Sequence, residues 1–240
     1  MPKLYRTLLF LLLQVIILVS SYFIGKRAFY YESGMLANRR DVLPQQPGYF
    51  TYMINLKELN EDQVKLFKLM PHDTADIVFV GTSLTQGFPL QEMFGNIHLK
   101  NRGIGGNSIN DIKQRIDEVI LSQPKKIFLE VGINDIGKTT VHSVYKNFTE
   151  LVNYIKLKSP KTKLYVNSVL PFGKGNLVNI KAYNALVIKF CANQNLTFIN
   201  LFPLYVGTDG LKPDLTTDGT HLKAAGYVIW KNYILQYITN

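Results

Sequence analysis

The chain has 240 residues, 47% of them hydrophobic, and 27 lysines and arginines against 17 acidic residues give it a net charge of +10. So apolar a composition offsets its ordering entropy by burial, which excludes disorder as the dominant state, and the length provides a full core within one or two domains. Cys191 is the single cysteine, which excludes a disulfide scaffold, and with four scattered histidines it cannot build a cysteine-rich zinc site.

The first element is apolar throughout. Thr7 to Ile24 reads TLLFLLLQVIILVSSYFI, without a formal charge and flanked by Lys3 and Arg6 before and Lys26 and Arg27 after. At about 1.5 Å per residue a helix of this length nearly covers a hydrocarbon core. The expectation is an N-terminal transmembrane anchor over residues 1–25. A signal peptide cleaved near Val19-Ser20-Ser21 is the competing reading. Lys26, Arg27, Arg39 and Arg40 follow the span and by local charge would keep the domain behind it in the cytoplasm, although long domains translocate largely regardless of charge. Residues 26–58, which include DVLPQQPGYF, carry no apolar period and read as a juxtamembrane stalk.

From residue 59 to 240 strand and helix patterns alternate. Apolar β-rich runs stand at 76–80, 97–100, 126–131, 163–170 and 197–201. Helical periods run through Ile109, Ile112, Ile116, Val119 and Ile120, then Val141, Val144, Tyr145, Phe148, Leu151, Val152 and Ile155. A third runs through Ile180, Tyr183, Val187, Phe190 and Cys191, and a last helix follows His221. Repeated strand–helix units predict parallel strands in a three-layer α/β/α sandwich, with a five-stranded flavodoxin-like sheet. Such sheets place ligands beyond the carboxyl ends of their strands.

Four of those ends carry residues with chemical potential. They are Gly81-Thr82-Ser83-Leu84-Thr85, the stretch Asn101 to Ser108 (NRGIGGNS), Gly132-Ile133-Asn134-Asp135, and Thr217-Asp218-Gly219-Thr220-His221, which closes a long loop from Phe202 read as aperiodic. Acyl transfer needs this set. A serine hydroxyl requires a neighbouring base, and the base requires an acceptor that fixes its tautomer. Asp218 lies three residues before His221, so one turn can present both. The oxyanion needs preorganised donors, for which the Ser83 and Gly106 backbone N–H groups and the Asn134 amide are candidates. His72, His98 and His142 have no comparable acid partner in sequence.

The blocks GTSLT, NRGIGG, GIND and DGTH resemble the four signature blocks of the SGNH, or GDSL-type, hydrolases, in order and spacing over about residues 60–238. The chain is similar in particular to the bacterial branch that resembles platelet-activating-factor acetylhydrolase and carbohydrate O-acetylesterases. The resemblance implies a serine esterase that cleaves small O-acyl, chiefly acetyl, esters without a cofactor or metal. It implies Ser83 as nucleophile, Asp218 and His221 as the rest of the triad, and Gly106 and Asn134 with Ser83 as the oxyanion hole. It also favours an extracytoplasmic domain. Thr82 departs from the family, which usually has Asp there, and Gln86 stands where this branch often has an acid.

Three other readings are weighed against it. The Gly103 to Ser108 stretch half-matches a dinucleotide fingerprint, with Glu130 ending the next strand as the ribose acid. An anchored O-acyltransferase acting on envelope glycans would use the same residues, and a vestigial glycan-binding scaffold would need none of them intact. The expected partners are a small ester or an acylated carbohydrate or lipid, and the membrane through residues 7–24. No nucleic-acid motif or basic helix is present, so the positive charge is read as contact with an acidic membrane or envelope polymer.

Overall fold

The computed structural model describes residues 56–173 and 175–239. The expected span at 7–24 lies outside the described residues, as does the expected stalk except for its last three positions. Among the described residues no helix is long and apolar enough to cross a membrane.

In chain order the elements are α1 (Leu56–Leu69), β1 (Ile77–Gly81), α2 (Ser83–Gln86), α3 (Leu90–Phe94), β2 (Leu99–Gly103), α4 (Ile109–Arg115) and α5 (Asp117–Ile120). They continue with β3 (Lys126–Leu129), α6 (Val141–Lys158), β4 (Lys163–Asn167), α7 (Leu177–Asn193), β5 (Thr197–Ile199), α8 (Phe202–Tyr205), a 3-10 turn at Pro213–Leu215 and α9 (Ala224–Thr239).

The described residues form one five-stranded sheet, all parallel, in the order β2-β1-β3-β4-β5. This is the flavodoxin-like order. The central strands read as unbroken apolar runs because both of their faces are covered, and every residue of β1 and β3 is buried. Phe79, Phe128 and Tyr165 stack across three neighbouring strands on one face, with ring centroids 4.5 and 4.6 Å apart. Helix α9 covers that face: Tyr237 meets Tyr165, and Trp230 meets Phe88, which in turn packs edge-on against Phe79. Lys126 shares the face and is buried, where its Nζ donates to the Tyr237 and Ile238 carbonyls and so satisfies the C-terminal end of α9. Helix α6 packs against both α4 and α7.

The caps follow the sequence. Ser108 opens α4 with a reciprocal capping box to Asp111, and the Thr140 hydroxyl accepts from the Ser143 N–H at the start of α6. Two expectations change. Strand β2 extends to Gly103 rather than ending near 100, so NRG belongs to the sheet and not to the loop after it. The loop from Phe202 is not structureless: it holds α8, the 3-10 turn and bridges pairing Val206 with Leu211 and Thr216 with Leu222.

The chain runs from β1 out to β2 and then returns to place β3 on the other side of β1. The reversal leaves a crevice at the carboxyl ends of β1 and β3, where open α/β sheets bind ligands. Ser83 and Asn134 follow those two strands.

Candidate active site

Ser83 is the first residue of α2, two positions beyond the end of β1. Its Oγ lies 3.0 Å from His221 Nε2, across 138 positions of sequence. His221 Nδ1 lies 2.5 Å from Asp218 Oδ2. The other carboxylate oxygen of Asp218 accepts from the backbone N–H groups of Thr220 (2.9 Å) and His221 (2.7 Å). The Thr216 hydroxyl accepts from Gly219 N–H and donates to Asp218 Oδ1, which folds the Thr216–His221 turn on itself. Partial burial works to raise the Asp218 pKa, but the hydrogen bonds from the His221 ring and from the two N–H groups win and hold the carboxyl well below its ordinary range. About half of each of the His221 and Asp218 side chains is open to solvent.

The glycine-rich loop after β2 lies beside the serine. A Cβ on Gly105 would stand 3.7 Å from the Ser83 Cβ. Gly105 is held at both ends, its N–H by Gln86 Oε1 at 2.9 Å and its carbonyl by Asn60 Nδ2 at 3.2 Å. Gln86 therefore secures this loop. Gly106 follows with φ +77°. Asn134 joins the same loop from the β3 side, its Nδ2 donating to the Asn107 carbonyl at 2.9 Å. Of the five residues singled out from sequence, Ser83, His221 and Asp218 are joined by direct contacts, while Asn134 reaches the carbonyl of the residue after Gly106. Beyond them, Gly173 N–H donates to the Gly219 carbonyl, which brings the loop after β4 against the Asp218 turn.

Several residues have supporting roles that sequence reasoning did not assign. Arg115 is buried, and its guanidinium bonds Asn107 Oδ1, the Gly81 carbonyl and the Arg102 carbonyl, tying the ends of β1 and β2 to the glycine loop. Burial lowers its pKa to about 10, with Glu118 opposing. Asp135 accepts from the first N–H of α4 (Ile109, 3.1 Å) and so braces the loop bearing Asn134 against the helix that follows the glycines. Glu130 is buried beneath the serine turn and accepts from Thr82 and Thr85. That placement removes it from any ribose, and with it the dinucleotide reading. The signal for Glu130 was present in KIFLE, an acid closing an otherwise apolar strand. The groove lined by Met70, Phe88, Leu90, Gln91, Lys100 and Arg102, about 350 Å³, does not include Ser83, His221 or Asp218.

Comparison with known proteins identifies the family. Residues 79–229, more than half of the chain, match the model of the GDSL-like lipase/acylhydrolase family. The chain belongs to that family. Human platelet-activating factor acetylhydrolase IB subunit alpha2 is 28% identical to this GDSL-family chain over 163 residues, covering 63% of it and 71% of the human protein. A GDSL-like lipase from Bacteroides thetaiotaomicron matches 77% of the chain and 97% of its own, at TM-score 0.65 and 23% identity. An acetyl xylan esterase covers 68% of the chain and 98% of its own, at TM-score 0.60 and 21% identity. The last two likenesses carry the fold. The curated relatives cited are acetylhydrolase subunits by name.

Proposed function

We propose that this GDSL-family chain is a serine esterase that cleaves short O-acyl esters, acetyl esters foremost, through an acyl-enzyme. The observation that carries the reading is the run of contacts from Ser83 Oγ to His221 Nε2 at 3.0 Å and from His221 Nδ1 to Asp218 Oδ2 at 2.5 Å. In this reading Ser83 Oγ attacks the acyl carbonyl while His221 Nε2 takes its proton, and Asp218 holds the imidazole with Nδ1–H toward itself. The oxyanion that forms is met by the Ser83 and Gly106 N–H groups and the Asn134 amide. His221 then passes the proton to the departing alcohol. Water, deprotonated by His221, attacks the acyl-serine, and collapse releases the acid and restores Ser83.

The half-open His221 and Asp218 favour a small acyl group on a bulky alcohol, such as an acetylated carbohydrate, because the alcohol side needs no enclosing wall. The name of the acetyl xylan esterase neighbour fits the same substrate class.

The test is hydrolysis of p-nitrophenyl acetate and of acetylated sugars by the protein and by Ser83→Ala, with a serine-directed phosphonate as label. Activity and a single phosphonyl adduct at Ser83 are expected, and both should vanish in S83A. Full activity in S83A, or no labelling of the parent protein, overturns the assignment.

A further inference from the structure

The turn that carries Ser83 is held from below by a carboxyl group of another strand. Glu130 directly follows β3 and is 1% exposed. Its Oε2 accepts three hydrogen bonds, from Thr82 N–H (3.1 Å), Thr82 Oγ1 (2.8 Å) and Thr85 Oγ1 (3.2 Å). These donors bracket Ser83, one residue before it and two after. Oε1 has no hydrogen-bond partner among the described residues. The register that pairs Val80 with Leu129 brings Gly81 alongside Glu130, and only a glycine leaves room there. A Cβ on Gly81 would stand 2.1 Å from Thr85 Oγ1 and 2.9 Å from Glu130 Oε2.

A carboxyl group at this depth costs free energy that an apolar side chain of similar size would not. Strand β3 is otherwise apolar toward this end, so packing alone calls for a leucine or isoleucine. The fold instead carries an acceptor under one turn, the turn of the serine. Thr82 makes no side-chain cap to the helix it opens, because its hydroxyl is turned down to Glu130.

We propose that Glu130 is a positioning residue for the nucleophile: by accepting from Thr82 and Thr85, it fixes the turn that keeps Ser83 Oγ within hydrogen-bond reach of His221. The inference rests on the reading of Ser83 as nucleophile. Glu130 acts through the turn and touches no substrate. The role needs an acceptor oxygen at the Oε2 place rather than a charge. Burial pushes the Glu130 carboxyl up to about 7, against the pull of the Thr82 and Thr85 hydrogen bonds, and a proton carried on the unpartnered Oε1 leaves Oε2 free to accept. A glutamine can supply the same oxygen, and a leucine of similar size cannot.

The experiment uses the full chain as wild type, Glu130→Gln, Glu130→Leu and Thr82→Val. Each is followed by kcat and KM on p-nitrophenyl acetate, by the rate of phosphonate labelling, and by thermal melting. A serine displaced by about an ångström loses on the order of 100-fold in rate. E130L is therefore expected to melt cooperatively and to lose about 10- to 100-fold in both kcat and labelling rate, with KM within about twofold. E130Q is expected within about threefold of wild type, and the contrast with E130L is what a filler role would not give. A folded E130L with wild-type kcat and labelling overturns the proposal, as does an E130Q as impaired as E130L. Should E130L fail to fold, T82V decides: a fall of about threefold or more in labelling supports the proposal, and an unchanged rate overturns it. A wild-type protein that the phosphonate does not label would instead overturn the assignment of Ser83 itself.

Discussion

Asp218 shows how much one side chain is asked to do. One oxygen meets the His221 ring and the other takes two backbone N–H groups, so the same carboxylate both orients the imidazole and shapes the turn that presents it. Its depressed pKa keeps it charged throughout the range in which esterases are assayed. Asp218→Asn separates the two tasks, since an amide can still accept from the backbone but favours the wrong ring tautomer. It is expected to fold and to lose about 10³- to 10⁴-fold in kcat, read from steady-state kinetics beside a melting curve. A loss under tenfold would restrict Asp218 to shaping the turn. At this scale the sequence pointed to Ser83, the Asp-x-x-His pair and the glycines and asparagine after β2 and β3 by their joint placement at strand ends, since each piece alone has commoner structural uses. It did not disclose the supporting roles of Glu130, Arg115 or Asn60. Each makes a hydrogen bond to a segment 34 to 48 positions away, and no local pattern marks which loops will meet.

Among the elements, legibility tracks burial. Helix α6 showed its period because Val144, Phe148, Leu151, Val152 and Ile155 all face the core. Helix α1 has no counterpart among the expected elements, since of its apolar residues Phe67 is buried while Leu59, Leu66 and Leu69 are exposed, which dilutes any stripe. Helices α2 and α3, at four and five residues, are too short for a period to register. Yet α2 is the element that the site depends on most closely. It packs so near β2 that a Cβ on Gly103 would stand 2.2 Å from the Gln86 backbone nitrogen and 2.7 Å from the Thr85 carbonyl carbon. These are backbone atoms of the serine helix, and they cannot rotate away. Gly103→Ala is thus expected to cost about 1–3 kcal/mol by overpacking and to lower kcat by pushing α2 away from its place. Urea unfolding and kcat should fall together. A variant with wild-type stability and kcat would show that β2 and α2 separate freely, contrary to the tight packing described.

For the whole molecule, strand identity was legible and strand order was not. Each apolar run names a strand, whereas the order β2-β1-β3-β4-β5 arises from which way each crossover turns, and that is set by helix–sheet packing between distant residues. The reversal next to β1 has a consequence for global stability, because it is where the fold encloses Glu130 beneath the turn of Ser83. The carboxyl is raised from its ordinary 4.5 to about 7 by burial. A raised acid binds its proton more tightly folded than unfolded, so its stabilising contribution is complete below about pH 4.5 and is lost as pH climbs through about 7. The shift corresponds to about 3 kcal/mol across that window. Glu118 and Asp135 are raised by burial as well and slope the same way, but they cancel in a comparison with E130Q. Urea unfolding of wild type and E130Q between pH 4.5 and 8 is therefore expected to give curves that diverge. The wild type should lose about 3 kcal/mol more than the variant, equivalent to a Tm difference of about 6–12 °C for a domain of this size. Parallel curves would mean that Glu130 titrates as an ordinary carboxyl, its charge solvated or paired in a way that its burial beneath Thr82 and Thr85 does not provide.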